Sequence, residues 1–347
     1  MQTIRVRRPH SYPIFISQKG SPLSEGIPSR RAIILTSPTV ARFCLPTLKR
    51  WLKVSTDVLS IPDGERSKTL DTVARVYSQL IRLRADRTTP ILLLGGGVVG
   101  DLGGFAAATY LRGVPFFQIP TTLVAQVDSS IGGKLGVDLS EGKNLVGLFQ
   151  APSAVFSYIP FLKTLPPREI RGGMAEVIKY GIIQDTGLFG LVQKKRGEIL
   201  RYDLDLLYRI VLRSSKIKAR IVSQDEKETT GLRRVLNFGH TFGHALERLT
   251  RYRRFHHGEA ISIGMVIAAR ASHRLGFCSS EDVEAIQTTL RAFGLPTEPP
   301  LFPKERWVRA LEVDKKSRDG MIHFVFVKGI GTVFVKPISP KELVKFL

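Results

Sequence analysis

Apolar positions change their period along this chain, and the change divides it. In the first half, short apolar runs alternate with stretches of helical spacing. Ala32 to Thr36 (AIILT) reads as a short strand, while Ser67 to Leu83 carries Leu70, Val73, Val76, Tyr77, Leu80 and Ile81 on one helix face. Pro90 to Gly97 (PILLLGGG) reads as a buried strand ending in a glycine turn, the small-residue stretch Gly104 to Leu111 follows, and Val114 to Pro120 (VPFFQIP) is the next strand. Strand, turn, helix and strand in that order predict a parallel sheet with crossover helices. After about residue 165 the texture changes. Pro166-Pro167 punctuates the chain, and helical patterns follow over 168–184, 203–224, 237–250, 257–275 and 280–293. Strand signals return only at Met321 to Val327 and Thr332 to Val335. The expected architecture is an α/β domain over residues 1–166 and a mainly α-helical domain over 167–347.

Composition adds bounds. A chain of 347 residues, 43% hydrophobic and 24% charged, fits two ordinary globular domains. Cys44 and Cys278 lie far apart with no CxxC pair, which suits packing residues of a reduced, cytoplasmic protein. No apolar run of signal-peptide length follows Arg5, Arg7 and Arg8. The most apolar stretch, Ala260 to Ala269, is too short for a membrane span and suits a buried helix. The formal charge of +22 raises nucleic-acid binding as a function class. Against it, Lys and Arg are dispersed, and the densest groups, Lys194-Lys195-Arg196 and Arg251-Tyr252-Arg253-Arg254, are short. RNP motifs, zinc-finger spacing and a basic tail are all missing. The expectation is a basic solvated surface that can steer an anionic small molecule, with neither nucleic acid nor membrane as partner.

Four segments of the first half carry polar chemistry. Gly95-Gly96-Gly97-Val98-Val99-Gly100-Asp101 follows a strand and opens a helix, where free N–H groups and the helix dipole suit a pyrophosphate. Its spacing is not G-x-G-x-x-G, and a tight strand-to-helix turn explains the glycines equally well. Thr121-Thr122 offers two hydroxyls at a strand end, where open sheets bind ligands. Asp63-Gly64-Glu65-Arg66-Ser67-Lys68 reads as a turn into a helix, with Ser67 as the cap and carboxylates able to hold ribose hydroxyls. The stretch from Asp128 through Gly132-Gly133-Lys134 to Gly142-Lys143-Asn144 reads as a glycine-rich loop suited to phosphate.

The second half carries metal chemistry. In NFGHTFGH, His240 and His244 are i,i+4 on one helix face, and His257 begins the next helix as His257-Gly258-Glu259. Upstream, Glu176 and Lys179 are i,i+3 in an otherwise apolar helix. Two histidines and a carboxylate with an open position form a common catalytic zinc set. The pattern lacks the glutamate of H-E-x-x-H, which argues against metalloprotease chemistry. Spacing leaves open which of His240 and His244 is a ligand.

In series, GGGVVGDLGGFAAATYLRGV, IPTTLVAQVDSSIGGK, GKNLVG, MAEVIKYGII, LNFGHTFGHALE and HGEAISIGM resemble the 3-dehydroquinate synthases, a family of sugar phosphate cyclases, from about Asp63 to Lys316. The resemblance implies a Rossmann-like dinucleotide-binding first domain and a helical metal- and substrate-binding second one. It implies a lyase of aromatic biosynthesis that takes 3-deoxy-D-arabino-heptulosonate 7-phosphate to 3-dehydroquinate by transient oxidation, phosphate loss, reduction and aldol closure. Zinc (or cobalt) would be held by Glu176, His240 and His257, with His244 a polar partner at the reacting centre. NAD would meet Asp63, Gly64, Glu65, Arg66, Ser67 and Lys68, then Gly97, Val98, Val99, Gly100 and Asp101, then Thr121, Thr122, Asp128, Lys134, Lys143, Phe161, Leu162, Lys163 and Thr164. The substrate would meet Lys134, Asn144, Lys179, Lys218, Arg233, Asn237, Lys315 and Lys316, with His244, Lys179, Asn237 and Lys134 at the chemistry. Arg112 would reach the site of a homodimer partner. Two departures stand out: Glu228-Thr229-Thr230-Gly231 is one residue longer than the family spacing, and Leu135 follows Lys134 where threonine is usual. The rival readings are another sugar phosphate cyclase and a metal-dependent polyol or glycerol-phosphate dehydrogenase, which would release NADH stoichiometrically.

Overall fold

The run Ile91-Leu92-Leu93-Leu94 is apolar at successive positions, so a strand there has to be covered on both faces. The computed structural model describes residues 1–7, 11–20, 23, 27, 29–312, 317–318 and 320–347. In it the strands β1 (Gln2–Val6), β2 (Tyr12–Ser17), β3 (Arg31–Thr36), β4 (Ser55–Ser60), β5 (Ile91–Gly95), β6 (Phe116–Pro120) and β9 (Ala154–Tyr158) make one sheet in the order β1-β2-β9-β6-β5-β3-β4. All neighbours are parallel except β1, which runs antiparallel to β2. Between β6 and β9 the chain forms a two-stranded hairpin, β7 (Lys134–Leu139) and β8 (Gly142–Phe149).

Both faces of the sheet are covered. Leu92 and Leu94 pack with Cys44 and Leu48 of α1 (Pro38–Trp51), and Ile91 and Leu93 pack with Val73 and Leu80 of α2 (Leu70–Arg82) and Leu102 and Phe105 of α3 (Gly97–Thr109). Burying each such leucine contributes about 1.5–3 kcal/mol. Gly103 lets α3 approach closely: a Cβ there would meet Leu35 and Leu93 side-chain carbons at 2.6 Å.

The second half is helical, with α4 (Pro167–Gln184), α5 (Thr186–Lys194), α6 (Arg196–Leu200), α7 (Leu204–Gln224), α8 (His240–Leu249), α9 (His257–Arg274), α10 (Ser280–Ala292), α11 (Lys304–Glu312) and α12 (Pro340–Leu343). A small antiparallel sheet joins β10 (Ser317–Arg318), β11 (Met321–Gly329) and β12 (Thr332–Ile338). Ala260 to Ala269 lie on α9 and are buried throughout. Among the described residues no helix is long and apolar enough to cross a membrane.

The chain does not divide at a single point. One compact unit is Met1–Pro166 with Tyr202–Lys227, and the other is Pro167–Arg201 with Glu228–Leu347. The departure from a boundary at 166 is α7, whose buried face of Leu207, Ile210, Val211, Ile217 and Val222 packs on β1, β2 and the turn Ala125–Ser129. Gln18 Nε2 donates to Leu204 O at 3.0 Å and Ser215 Oγ to Gln126 O at 3.2 Å. Helical period alone does not say which core a helix joins.

Three local expectations change. Glu65–Ser67 forms a 3₁₀ turn, so Ser67 donates to Gly64 O at 2.7 Å, and the cap of α2 is Thr69, whose Oγ1 accepts from Thr72 N at 3.3 Å. The glycine-rich stretch after Asp128 is not a loop. Leu135 and Val137 alternate inward to join the α3 side of the core, which makes Lys134–Leu139 a strand. Asn237 does not ride on the histidine helix either. It closes a separate 3₁₀ turn, Leu232–Asn237, because Gly239 at φ +79° breaks the helix before His240.

Candidate metal centre and nucleotide-binding turns

In the second unit, Glu176 sits mid-way along α4 with no exposed surface. An unpaired carboxylate there would cost several kcal/mol. Lys179, one turn on and equally buried, brings Nζ within 2.5 Å of Glu176 Oε2. The other oxygen, Oε1, lies 3.3 Å from His257 Nε2 and 3.5 Å from His240 Nε2. Burial pushes the Glu176 carboxyl up, but the Lys179 ammonium and the two imidazoles outweigh it and hold the pKa well below the usual carboxylate range. These three helices meet closely: a Cβ on Gly264 of α9 would collide with Gly239 O, and one on Gly258 with Gly172 O.

The donor set fits a divalent ion, and His240 supplies the reason. Its Nδ1 faces Phe238 O at 3.1 Å, and a carbonyl oxygen can only accept. Burial first, and Lys179 second, lower the His240 pKa, so the ring is neutral and its Nε2 presents a lone pair. That nitrogen and Glu176 Oε1 lie 3.5 Å apart and converge on one space, where a cation between them would use both lone pairs. The ligand atoms of Glu176, His240 and His257 all lie within 4.8 Å of one another. Two nitrogens and one oxygen with an open side is the pattern of a catalytic rather than a structural zinc site.

His257 opens α9 and faces two carboxylates. Burial pushes its pKa down, but Glu176 and Glu247 outweigh this and raise it to about 10. Its Nδ1 is 3.7 Å from Glu247 Oε1. His244 stands one turn beyond His240, with ring centroids 5.4 Å from His240 and 6.1 Å from His257. In the turn before α8, buried Arg233 has Nε 3.7 Å from Glu228 Oε1, and Asn237 is half-buried. Lys315 and Lys316 lie outside the described residues.

Two acids were not singled out from the sequence. Glu247 was detectable, because 240, 244 and 247 share a helix face. Glu228 had no signal beyond the inserted residue that follows it.

In the first unit the expected nucleotide residues gather at turns. Gly96 caps α3, whose first turn has no side-chain cap and no acidic residue, so the N–H groups of Gly97, Val98 and Val99 stay available. Gly100 packs against the Gln118 side chain, and Val99 is in the core. Lys68 is nearly fully buried and donates to Asp101 Oδ2 and to Asn144 Oδ1, each at 2.6 Å. Burial pushes the Lys68 pKa down, but Asp101 and Glu65 outweigh it and keep the ammonium charged. Asn144 takes φ +53° on β8, its N–H donating to Asp138 Oδ1 at 2.7 Å.

The remaining positions are less uniform. Asp63 accepts from the Thr39 hydroxyl at 2.8 Å, Glu65 pairs with Lys143 at 3.4 Å, and Gly64 (φ +90°) and the exposed Arg66 complete that turn. Thr121 is buried, and Thr122 Oγ1 accepts from Ala125 N at 3.1 Å. Asp128 lies in a π-helical turn with Oδ1 2.9 Å from Lys218 Nζ. Lys134 is exposed at the start of β7. Phe161 and Leu162 have buried side chains, so only their backbone can meet a ligand; Lys163 is exposed, and Thr164 Oγ1 donates to Phe161 O at 2.7 Å. Arg112 is exposed after Leu111, and both have positive φ, +68° and +50°.

The chain can be compared with known proteins. Residues 58–172 match the family model described as 3-dehydroquinate synthase N-terminal, and residues 173–317 match 3-dehydroquinate synthase C-terminal. A 3-dehydroquinate synthase of Pelobacter propionicus is 49% identical over 324 residues, covering 92% of this chain and 90% of its own length. Among solved structures, 2-epi-5-epi-valiolone synthase from Streptomyces hygroscopicus with NAD+ and Zn2+ bound has a TM-score of 0.91 at 26% identity, covering 99% of this chain and 97% of that one. A 2-deoxy-scyllo-inosose synthase complexed with carbaglucose-6-phosphate, NAD+ and Co2+ has a TM-score of 0.86 at 25% identity, covering 99% of each chain.

Proposed function

Because the chain belongs to the 3-dehydroquinate synthase family, we propose that it converts 3-deoxy-D-arabino-heptulosonate 7-phosphate to 3-dehydroquinate and phosphate. The observation that carries this reading is the convergence of His240 and His257 on the buried carboxylate of Glu176, beside buried Lys179. The bound groups are NAD and Zn2+ or Co2+: NAD supplies a reversible hydride acceptor, and the ion supplies Lewis acidity at the alcohol oxygen being oxidised.

The protein's own residues then have distinct tasks. Glu176, His240 and His257 hold the ion, and His244 with water relays the proton of the C5 alcohol. The ketone at C5 acidifies the C6 proton, which the departing phosphate takes up as it leaves by β-elimination. The hydride removed from C5 is then returned to it, the hemiketal ring opens, and aldol closure forms the carbocycle. A positioned acid or base contributes typically 10²–10⁴-fold. Lys134, Asn144, Lys179, Lys218, Arg233, Asn237, Lys315 and Lys316 bind the substrate's carboxylate and phosphate through charge-assisted hydrogen bonds, roughly twice as strong as neutral ones. The turns at Asp63–Lys68, Gly97–Asp101 and Thr121–Thr122, with Asp128, Lys134, Lys143 and Phe161–Thr164, hold NAD. Arg112 serves the partner's site in a homodimer.

The test is to incubate the protein with the heptulosonate phosphate, NAD+ and Zn2+ and to follow phosphate, dehydroquinate and NADH. Phosphate and dehydroquinate should appear together with no net NADH. Stoichiometric NADH would show a dehydrogenase instead. Arg233→Ala should raise the Michaelis constant about 10–100-fold, the loss of a charged hydrogen bond, while leaving NAD affinity unchanged.

A further inference from the structure

Glu247 carries a charge that the reading so far leaves without a task. It lies on α8 in helical phase with His240 and His244, and it is only 3% exposed. Its Oε1 is 3.7 Å from His257 Nδ1, the nitrogen that faces away from Glu176. His257 thus presents each ring nitrogen to a different carboxylate. His240 is held otherwise, since its Nδ1 faces the neutral Phe238 carbonyl. When Nε2 of His257 is committed to an ion, the only ring proton left is on Nδ1, and Glu247 is the acceptor facing it.

We propose that Glu247 is a positioning residue for the metal: it accepts the Nδ1–H of His257, fixes the tautomer and ring orientation that aim Nε2 at the ion, and tightens ion binding. The inference rests on the metal-site reading above. The charge count agrees with it. Once the ion takes the place of the His257 Nε2 proton, both imidazoles are neutral. Glu176 and Glu247 against Lys179 then leave these groups with a net charge of −1 to meet a divalent cation; without Glu247 the same groups sum to zero. A shift of under about 1 Å turns the present separation into a charge-assisted hydrogen bond. The competing use of the same atoms is a second ion held by His244, Glu247 and His257, whose ligand atoms also lie within 4.8 Å of one another. That use requires the His257 ring to lose both protons and bridge two ions, so the single-ion arrangement is preferred.

The experiment measures Zn2+ stoichiometry and affinity of the whole chain by competition with a chromophoric chelator, for wild type, Glu247→Gln and Glu247→Ala. It adds the visible spectrum of the Co2+-loaded forms and the melting of the metal-stripped forms. One ion per chain is expected in wild type, with affinity weakened roughly 10–100-fold in both variants, an altered cobalt spectrum, and little change in melting of stripped Glu247→Gln. Unchanged affinity and spectrum in Glu247→Gln would overturn the proposal, as would two ions per wild-type chain. Wild type that binds no ion would overturn the metal-site reading itself. Should the variants not fold, nitrogen-15 NMR of histidine-labelled, Zn2+-loaded wild type decides: a proton on Nδ1 of His257 is expected, and a bare Nδ1 refutes the role.

Discussion

The two units handle buried charge in different ways. In the second, an ammonium, a carboxylate and two imidazoles project from helices into one space, and each is placed by the rigid frame behind it. In the first, the charges sit where strands give way to turns, and Lys68 ties Asp101 at the start of a helix to Asn144 on a hairpin. The helical cluster offers the side-chain nitrogens and oxygen that suit a small divalent cation of borderline softness. The turns expose backbone N–H groups, as the extended phosphates of a dinucleotide require. A side-chain site therefore fails at single residues, whereas a backbone site fails only when a turn loses its anchor.

Changes at Glu176 test the first half of that contrast and have the largest expected effect. Glu176→Gln should strip the metal and lower turnover by more than about 10²-fold, read by metal analysis and phosphate release. Glu176→Ala should in addition leave Lys179 buried without its carboxylate and cost about 3–5 kcal/mol, read by denaturant unfolding. Full metal occupancy in either variant would remove Glu176 from the ligand set.

Lys68→Met tests the other half. Losing the partner of Asp101 should cost about 3 kcal/mol and weaken NAD binding measured by calorimetry, with metal content unchanged. Loss of metal with NAD affinity intact would erase the distinction between the units. A smaller effect is expected at Gly103, where an alanine must displace Leu35 and Leu93. Gly103→Ala should destabilise by about 1–3 kcal/mol without touching a ligand, so unfolding midpoints should move while affinities hold.

The smallest effect concerns pH. Arg270 donates two hydrogen bonds to Glu298, at 2.8 and 2.6 Å, and this outweighs a slight desolvation to lower the Glu298 pKa from its ordinary 4.5. A group whose folded pKa is depressed contributes stability above its unfolded pKa and loses it as pH falls through the folded value. Glu298 is more than half exposed, so solvent screening limits the term to under about 1 kcal/mol. Glu298→Gln should therefore lower stability slightly at pH 7 and flatten its fall below pH 4.5. An identical acid profile in the variant would remove the pair from the ledger.

Periodicity carried a good part of this molecule. The unbroken apolar run Ile91-Leu92-Leu93-Leu94, the buried run Ala260 to Ala269, and the shared face of His240 and His244 follow from chain geometry within one element and are legible in the sequence. Resemblance, not spacing, supplied the preference for His240 over His244. Contacts across elements stayed hidden: Lys68 with Asn144, Glu247 with His257, and α7 with the first core rather than the second. Such pairings depend on how loops turn and which apolar faces meet, a collective outcome of burial over hundreds of side chains. No local period encodes it, because the free energy that selects each contact is spread across the whole core.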